Sequence, residues 1–116
     1  MSKKALERAE EQIQRALSEI FEFEARDPRF HLVTIMGVKL SMDFRHATVY
    51  ISVLHESTEA ETLTALREHK GFFRSELAKK LNLRYTPELI FQIDEASKRA
   101  RRIEELLTKE KEKQKP

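Results

Sequence analysis

The spacing of apolar positions changes several times along this chain, and each change marks an element. Leu6, Ala9, Ile13, Leu17 and Ile20 recur every three or four residues, which is one face of a helix, with Ala16 and Phe23 beside it. Ser2 is placed to cap its start. Asp27-Pro28 closes it, because proline disfavours helical geometry at the residue before it. The period then drops to two. HLVTIMGVKL and HATVYISVL read as strands rich in β-branched residues, separated by SMDFR. In the second, Ala47, Val49, Ile51 and Val53 point inward and His46, Thr48, Tyr50 and Ser52 outward. Gly37 interrupts the first strand and marks a bulge or twist.

The stretch Thr58–Pro87 returns to helical spacing. Thr58 and Glu61 form a capping-box pattern at its start. Leu63, Leu66, Phe73, Leu77 and Leu81 then hold one face. Gly71 falls inside the pattern, one of only two glycines in the chain. A straight helix here would run roughly 37 Å, against a radius of gyration of about 13 Å for a compact chain of this size. On such a rod Phe72 would lie opposite the leucine face. A kink at Gly71, with Phe72 and Phe73 both turned inward, is the reading that resolves both conflicts. Charge changes sign at the same place. Residues 56–69 carry four glutamates against Arg67, and residues 70–84 carry Lys70, Arg74, Lys79, Lys80 and Arg84 against Glu76 alone. Helix-end electrostatics accounts for Glu59, Glu61, Lys79 and Lys80 but poorly for Lys70 and Arg74, which sit next to the kink.

After Tyr85-Thr86-Pro87 comes a third strand, ELIFQID, with Leu89, Phe91 and Ile93 on one face. Ser97–Leu107 forms a weaker amphipathic helix through Ala100, Ile103 and Leu107, carrying Lys98, Arg99, Arg101 and Arg102. The order α-β-β-α-kink-α-β predicts a single α+β domain over residues 1–96, with helices packed on one face of a three-stranded sheet. A short basic helix over 97–107 and a disordered charged tail over 108–116 complete the expected organisation. A βααβ core with a special turn between its helices is the arrangement of KH domains, which grip single-stranded nucleic acid through a GXXG turn. Here the turn reads Glu68-His69-Lys70-Gly71-Phe72.

Composition narrows the classes of function. At 116 residues, with 36% charged positions and a net charge of +2, nucleic-acid affinity must come from a local patch rather than the overall balance. The absence of cysteine removes thiol chemistry and disulfides and fits a reducing cytoplasm. The first residues lack an apolar signal core, and no apolar run approaches a membrane span. His31, His46, His55 and His69 lack metal-ligand spacing, so no metal and no cofactor is expected. No paired acids, activated nucleophile or phosphate loop points to an enzyme.

A set of short matches in order resembles the ribosome-binding factor A family. They are Asp27-Pro28-Arg29, Val33-Thr34, Val38 with Leu40-Ser41 and Asp43, Ala47 through Val53, Gly71-Phe72-Phe73-Arg74, Leu83-Arg84-Tyr85 and Pro87-Glu88-Leu89. Across about seventy residues their order and spacing are specific. The resemblance implies a type II KH-like fold in which an Ala-x-Gly kink replaces GXXG. It also implies binding to the free 30S subunit and 16S rRNA, assistance to late maturation and 5′-end processing of that RNA, and a role in cold adaptation. His69 stands where the family has the kink alanine, while Gly71 is kept.

With that resemblance, Lys70, Arg74, Lys79, Lys80 and Arg84 become candidate phosphate contacts, with Arg45 and His46 at the hairpin as additions. A monomer is expected. The competing reading is a non-catalytic protein–protein adaptor whose basic residues serve solubility. Salt dependence separates the two, since phosphate binding weakens steeply as salt rises.

Overall fold

The computed structural model describes residues 2–114. The Ser2 hydroxyl accepts the Ala5 N–H at 3.2 Å, and α1 (Lys3–Glu19) follows, burying Ala9, Ile13, Ala16 and Leu17. It then widens into a π-helical turn over Ile20–Glu24, closed by Ala25 N–H on the Ile20 carbonyl at 2.9 Å. The wider turn changes which side chains face the core. Ile20 and Phe21 are buried, and Phe23, expected beside the inner face, is 76% exposed. Asp27 caps a 3-10 turn over Pro28–Leu32 by accepting the Arg29 N–H at 2.9 Å.

Strand β1 (Val33–Leu40) pairs antiparallel with β2 (His46–Val53), and the register slips between Ile35 and Gly37, the bulge that Gly37 marked. β3 (Glu88–Ile93) joins the other side of β2 in parallel, so β2 is central. Its alternation is the cleanest in the chain for that reason: Ala47, Val49, Ile51 and Val53 are all buried. A parallel neighbour requires a crossover, and two helices supply it. They are α2 (Glu59–Glu68) and α3 (Lys70–Lys80).

Between these helices His69 leaves helical geometry (φ −100°, ψ 12°), so the break falls two residues before Gly71. Gly71 is itself in α3, has no positive φ, and a β-carbon there would meet nothing within 4 Å. The bend thus resides in His69. It turns Phe73 fully inward, but Phe72 stays 41% exposed, against the expectation that both would be buried. Phe73 is the centre of the core: its ring lies 4.9 Å from Phe21, 5.3 Å from Phe30 and 5.9 Å from Phe91, all edge to face. Such pairs add about 0.5–1.5 kcal/mol each beyond burial. Leu66 and Leu77 flank it on α2 and α3, fully buried.

The capping box does not form. The Thr58 hydroxyl donates instead to the His55 carbonyl at 2.9 Å within a 3-10 turn (Glu56–Thr58), and Glu61 pairs with Arg29 at 3.1 Å. Helix α4 (Glu95–Gln114) is also longer than expected, taking in residues 108–114 of the segment assigned as a disordered tail. Those residues are dominated by Lys, Glu and Gln, good helix formers that need no apolar face to continue an existing helix. Residues 115 and 116 lie outside the described residues. No residue of α4 is buried, and Ile103 and Leu107, expected to pack, are 58% and 57% exposed. Polar contacts hold its first half. Arg101 donates to the Val53 carbonyl (2.8 Å) and to Ser52 Oγ (2.8 Å), Lys98 pairs with Glu59 (2.9 Å), and Arg102 with Glu56 (3.0 Å).

Candidate nucleic-acid interface

Parallel pairing sets the starts of β2 and β3 side by side, with His46 opposite Glu88. The Glu88 N–H donates to the Arg45 carbonyl at 2.8 Å, and His46 Nε2 lies 3.8 Å from Glu88 Oε2. The first turns of α3 reach the same corner. Lys70, Gly71 and Arg74 line a cleft of about 140 Å³ with Glu88 and Leu89. The Arg74 guanidinium donates twice to the Thr86 carbonyl, at 3.1 and 2.9 Å, which ties α3 to the loop entering β3. That loop also carries Arg84, whose guanidinium stands 5.7 Å over the Tyr85 ring. Lys70 and Arg74 therefore share a cleft with Glu88, whose carboxylate faces His46 and whose backbone is tied to Arg45, with Arg84 on the loop that leads to β3.

The hairpin that presents Arg45 and His46 is tightly specified. Ser41 Oγ donates to Asp43 at 2.6 Å, Asp43 accepts the Arg45 N–H at 3.1 Å, and Ser41 Oγ accepts the His46 N–H at 3.0 Å. These bonds hold Phe44 at φ 63°, a left-handed conformation that costs an L-residue roughly 1–2 kcal/mol. They also lower the Asp43 pKa, the Ser41 hydroxyl contributing most and the Arg45 N–H next.

Lys79 and Lys80 do not join the corner. Lys79 pairs with Glu76 at 3.2 Å. Lys80 Nζ lies 2.8 Å from Glu24 and 3.6 Å from Glu19, fastening α3 to the end of the first helix. The contact raises the Lys80 pKa through its hydrogen bond to Glu24 and lowers that of Glu24. Each lysine is thus paired with a carboxylate and does not line the cleft of Lys70 and Arg74.

The two kink residues face different ways. Gly71 borders the basic cleft, whereas the His69 imidazole folds back over α2. Its Nδ1 lies 2.8 Å from the Ala65 carbonyl, which also accepts the His69 N–H at 3.1 Å, and its ring meets Phe30 edge-on at 5.6 Å. His69 thus caps the end of α2, a role open to a histidine and closed to alanine. It also lines a second cavity, of about 310 Å³, with Glu24, Ala25, Arg26, Asp27, Phe30 and Phe72. Sequence periodicity does not reveal this cavity, because it is built where the π-helical turn, the 3-10 turn and the kink meet. Among the described residues no group of three or more His, Cys, Asp or Glu could hold a metal ion. No helix among them is long and apolar enough to cross a membrane.

A KH-like α+β domain, with a kinked helix pair in place of a GXXG turn and a basic corner beside it, is the class these features define. The ribosome-binding factor A family model matches residues 5–107, and the chain belongs to that family. It is 44% identical to ribosome-binding factor A of Thermobifida fusca over 103 residues, covering 88% of this chain and 68% of that one. It is also 44% identical to the Heliobacterium modesticaldum protein, covering 87% and 84%. The crystal structure of the Thermus thermophilus factor superposes with a TM-score of 0.68 at 32% identity, over 80% of this chain and 97% of that one. A Thermus thermophilus ribosome-binding factor A fitted into a cryo-EM map of a 30S complex aligns with a TM-score of 0.63 at 33% identity, over 75% and 92%.

Proposed function

We propose that this protein is a non-catalytic small-subunit assembly factor of the cytoplasm. In this reading it binds the free 30S subunit as a monomer, contacts 16S rRNA and assists that RNA's late maturation and 5′-end processing, including in the cold. Family membership carries the reading, supported by the relative fitted to a 30S subunit. The corner of Lys70, Arg74, Arg45 and His46 is the surface suited to phosphate: α3 brings Lys70 and Arg74 to the start of β3, and the hairpin tied to that strand carries Arg45 and His46. Arg84 extends it.

Cosedimentation with free small subunits, free large subunits and assembled ribosomes tests this directly. The expected outcome is recovery with free small subunits alone. Binding should fall steeply with added salt, since displaced counterions set the slope. Equal recovery with all three particles, or recovery insensitive to salt, would refute the reading and leave a protein adaptor.

A further inference from the structure

The cavity on the far side of the kink has the features of a site for one unstacked nucleobase. Phe30 and Phe72 give it aromatic walls, and Phe72 is 41% exposed although it stands next to the wholly buried Phe73. An aromatic ring left half in water beside a cavity of about 310 Å³ is available to stack. The His69 ring adds an oriented polar group. Because Nδ1 faces a carbonyl, which can only accept, it must carry the proton. In the neutral ring Nε2 is then an acceptor. Of the two carboxylates that line it, Asp27 is engaged by Arg29 at 2.6 Å, and Glu24 by Lys80 at 2.8 Å through Oε1, its Oε2 being buried without a partner. Exposed Arg26 stands between them in sequence and lines the same cavity.

An aromatic wall, a fixed acceptor and a rim cation match a nucleotide whose base carries an exocyclic amine. We infer that the cavity of Phe30, His69 and Phe72 takes an adenine-type base from single-stranded RNA, with Arg26 toward its phosphate. The inference rests on the RNA-binding reading above and extends it. Uracil lacks the exocyclic amine and should bind less well.

The test is an NMR titration of the ¹³C-labelled protein with hexameric oligo(A) and oligo(U) ribonucleotides, alongside small-subunit cosedimentation. Oligo(A) should shift the ring signals of His69 and Phe72 and bind more tightly than oligo(U). Phe72→Leu keeps an apolar side chain at a half-exposed position but removes the π face. It should weaken both oligonucleotides roughly five- to hundredfold, the range of one lost base stack, since every base offers a π face, whereas His69→Ala, which removes the acceptor, should erase the preference for oligo(A). Lys70→Ala should weaken both oligonucleotides equally and leave the preference intact. Unmoved ring signals, a Phe72→Leu variant with undiminished affinity, or a His69→Ala variant with undiminished preference overturn the site. If small-subunit binding persists in that case, only the base site fails; if the wild-type protein also misses the small subunit, the wider reading fails.

Discussion

Lys70 and Lys80 carry the same charge to different ends. Lys70→Ala should weaken small-subunit binding and reduce its salt slope by roughly one unit, with little change in stability. Lys111→Ala and Lys113→Ala lose the same charge far along α4 and should do little; equal losses from all three would mean diffuse attraction rather than a site. Lys80→Met should act on the fold. It leaves Glu24 without the partner that lowers its pKa, and the Glu24 Oε2 atom is buried with no hydrogen bond. A carboxylate whose folded pKa lies below its usual 4.5 stabilises the fold above that pH, and the contribution fades as pH falls through the folded value. Asp27, held low by Arg29, and Glu56, held low by Arg102, act in the same direction. Urea midpoints should therefore fall as the pH drops from about 5 to about 3, and fall less in Lys80→Met. Gly71 is helical with open space around it, so Gly71→Ala should raise the melting temperature, with a gain of up to about 1 kcal/mol. A lowered melting temperature would show that the kink needs glycine after all.

The elements differ in how plainly the sequence announces them. β2 was fully legible because a central strand buries every second side chain, and Ala47 to Val53 record that without interruption. Which strand β3 joins was not legible, since Leu89, Phe91 and Ile93 would alternate alike against either edge. Phe23 and Phe72 depart from expectation for different reasons. For Phe23 a three-and-four count assumes an unbroken helix, and the π-helical turn changes the phase; for Phe72 the kink was expected to turn both phenylalanines inward, and the break at His69 turns in Phe73 alone. Of the site, the cluster around Glu88 was partly legible as basic residues without a helix-end explanation. Lys79 pairs with Glu76 three residues before it on α3, and Lys80 is drawn away by acids that α1 and its extension bring in. The same long-range effect dissolved the capping box, because Arg29 lies 32 residues from Glu61 in the chain and still pairs with it. Thr58→Ala should thus cost no more than a few tenths of a kcal/mol, whereas Ser2→Ala, at a cap that does form, should cost about 1 kcal/mol. Chemical denaturation of the two variants compares them directly.

At the scale of the molecule, α4 sets the shape. The radius of gyration is 16.6 Å and the long axis 61 Å, against about 13 Å expected for the radius of a compact chain of this length. The helix follows β3 at once, and apolar burial contributes nothing to holding it, since Ile103, Leu106 and Leu107 all face solvent. Charge and hydrogen bonding to Glu56, Glu59 and the end of β2 do the holding. The exposed Arg102–Glu56 pair is screened by salt and contributes little, while the Lys98–Glu59 pair, less than a fifth exposed on either side, is screened less. This gives the protein two separate scales of opening. Backbone amides of β2 should exchange with solvent deuterium only when the whole domain unfolds, at a rate set by the aromatic core and indifferent to moderate salt. Amides of α4 should exchange through a local detachment that quickens as sodium chloride is added, and quickens again in Arg101→Ala. One polypeptide would then behave, on the timescale of amide exchange, as a fixed body carrying a limb whose grip is tuned by the surrounding ions.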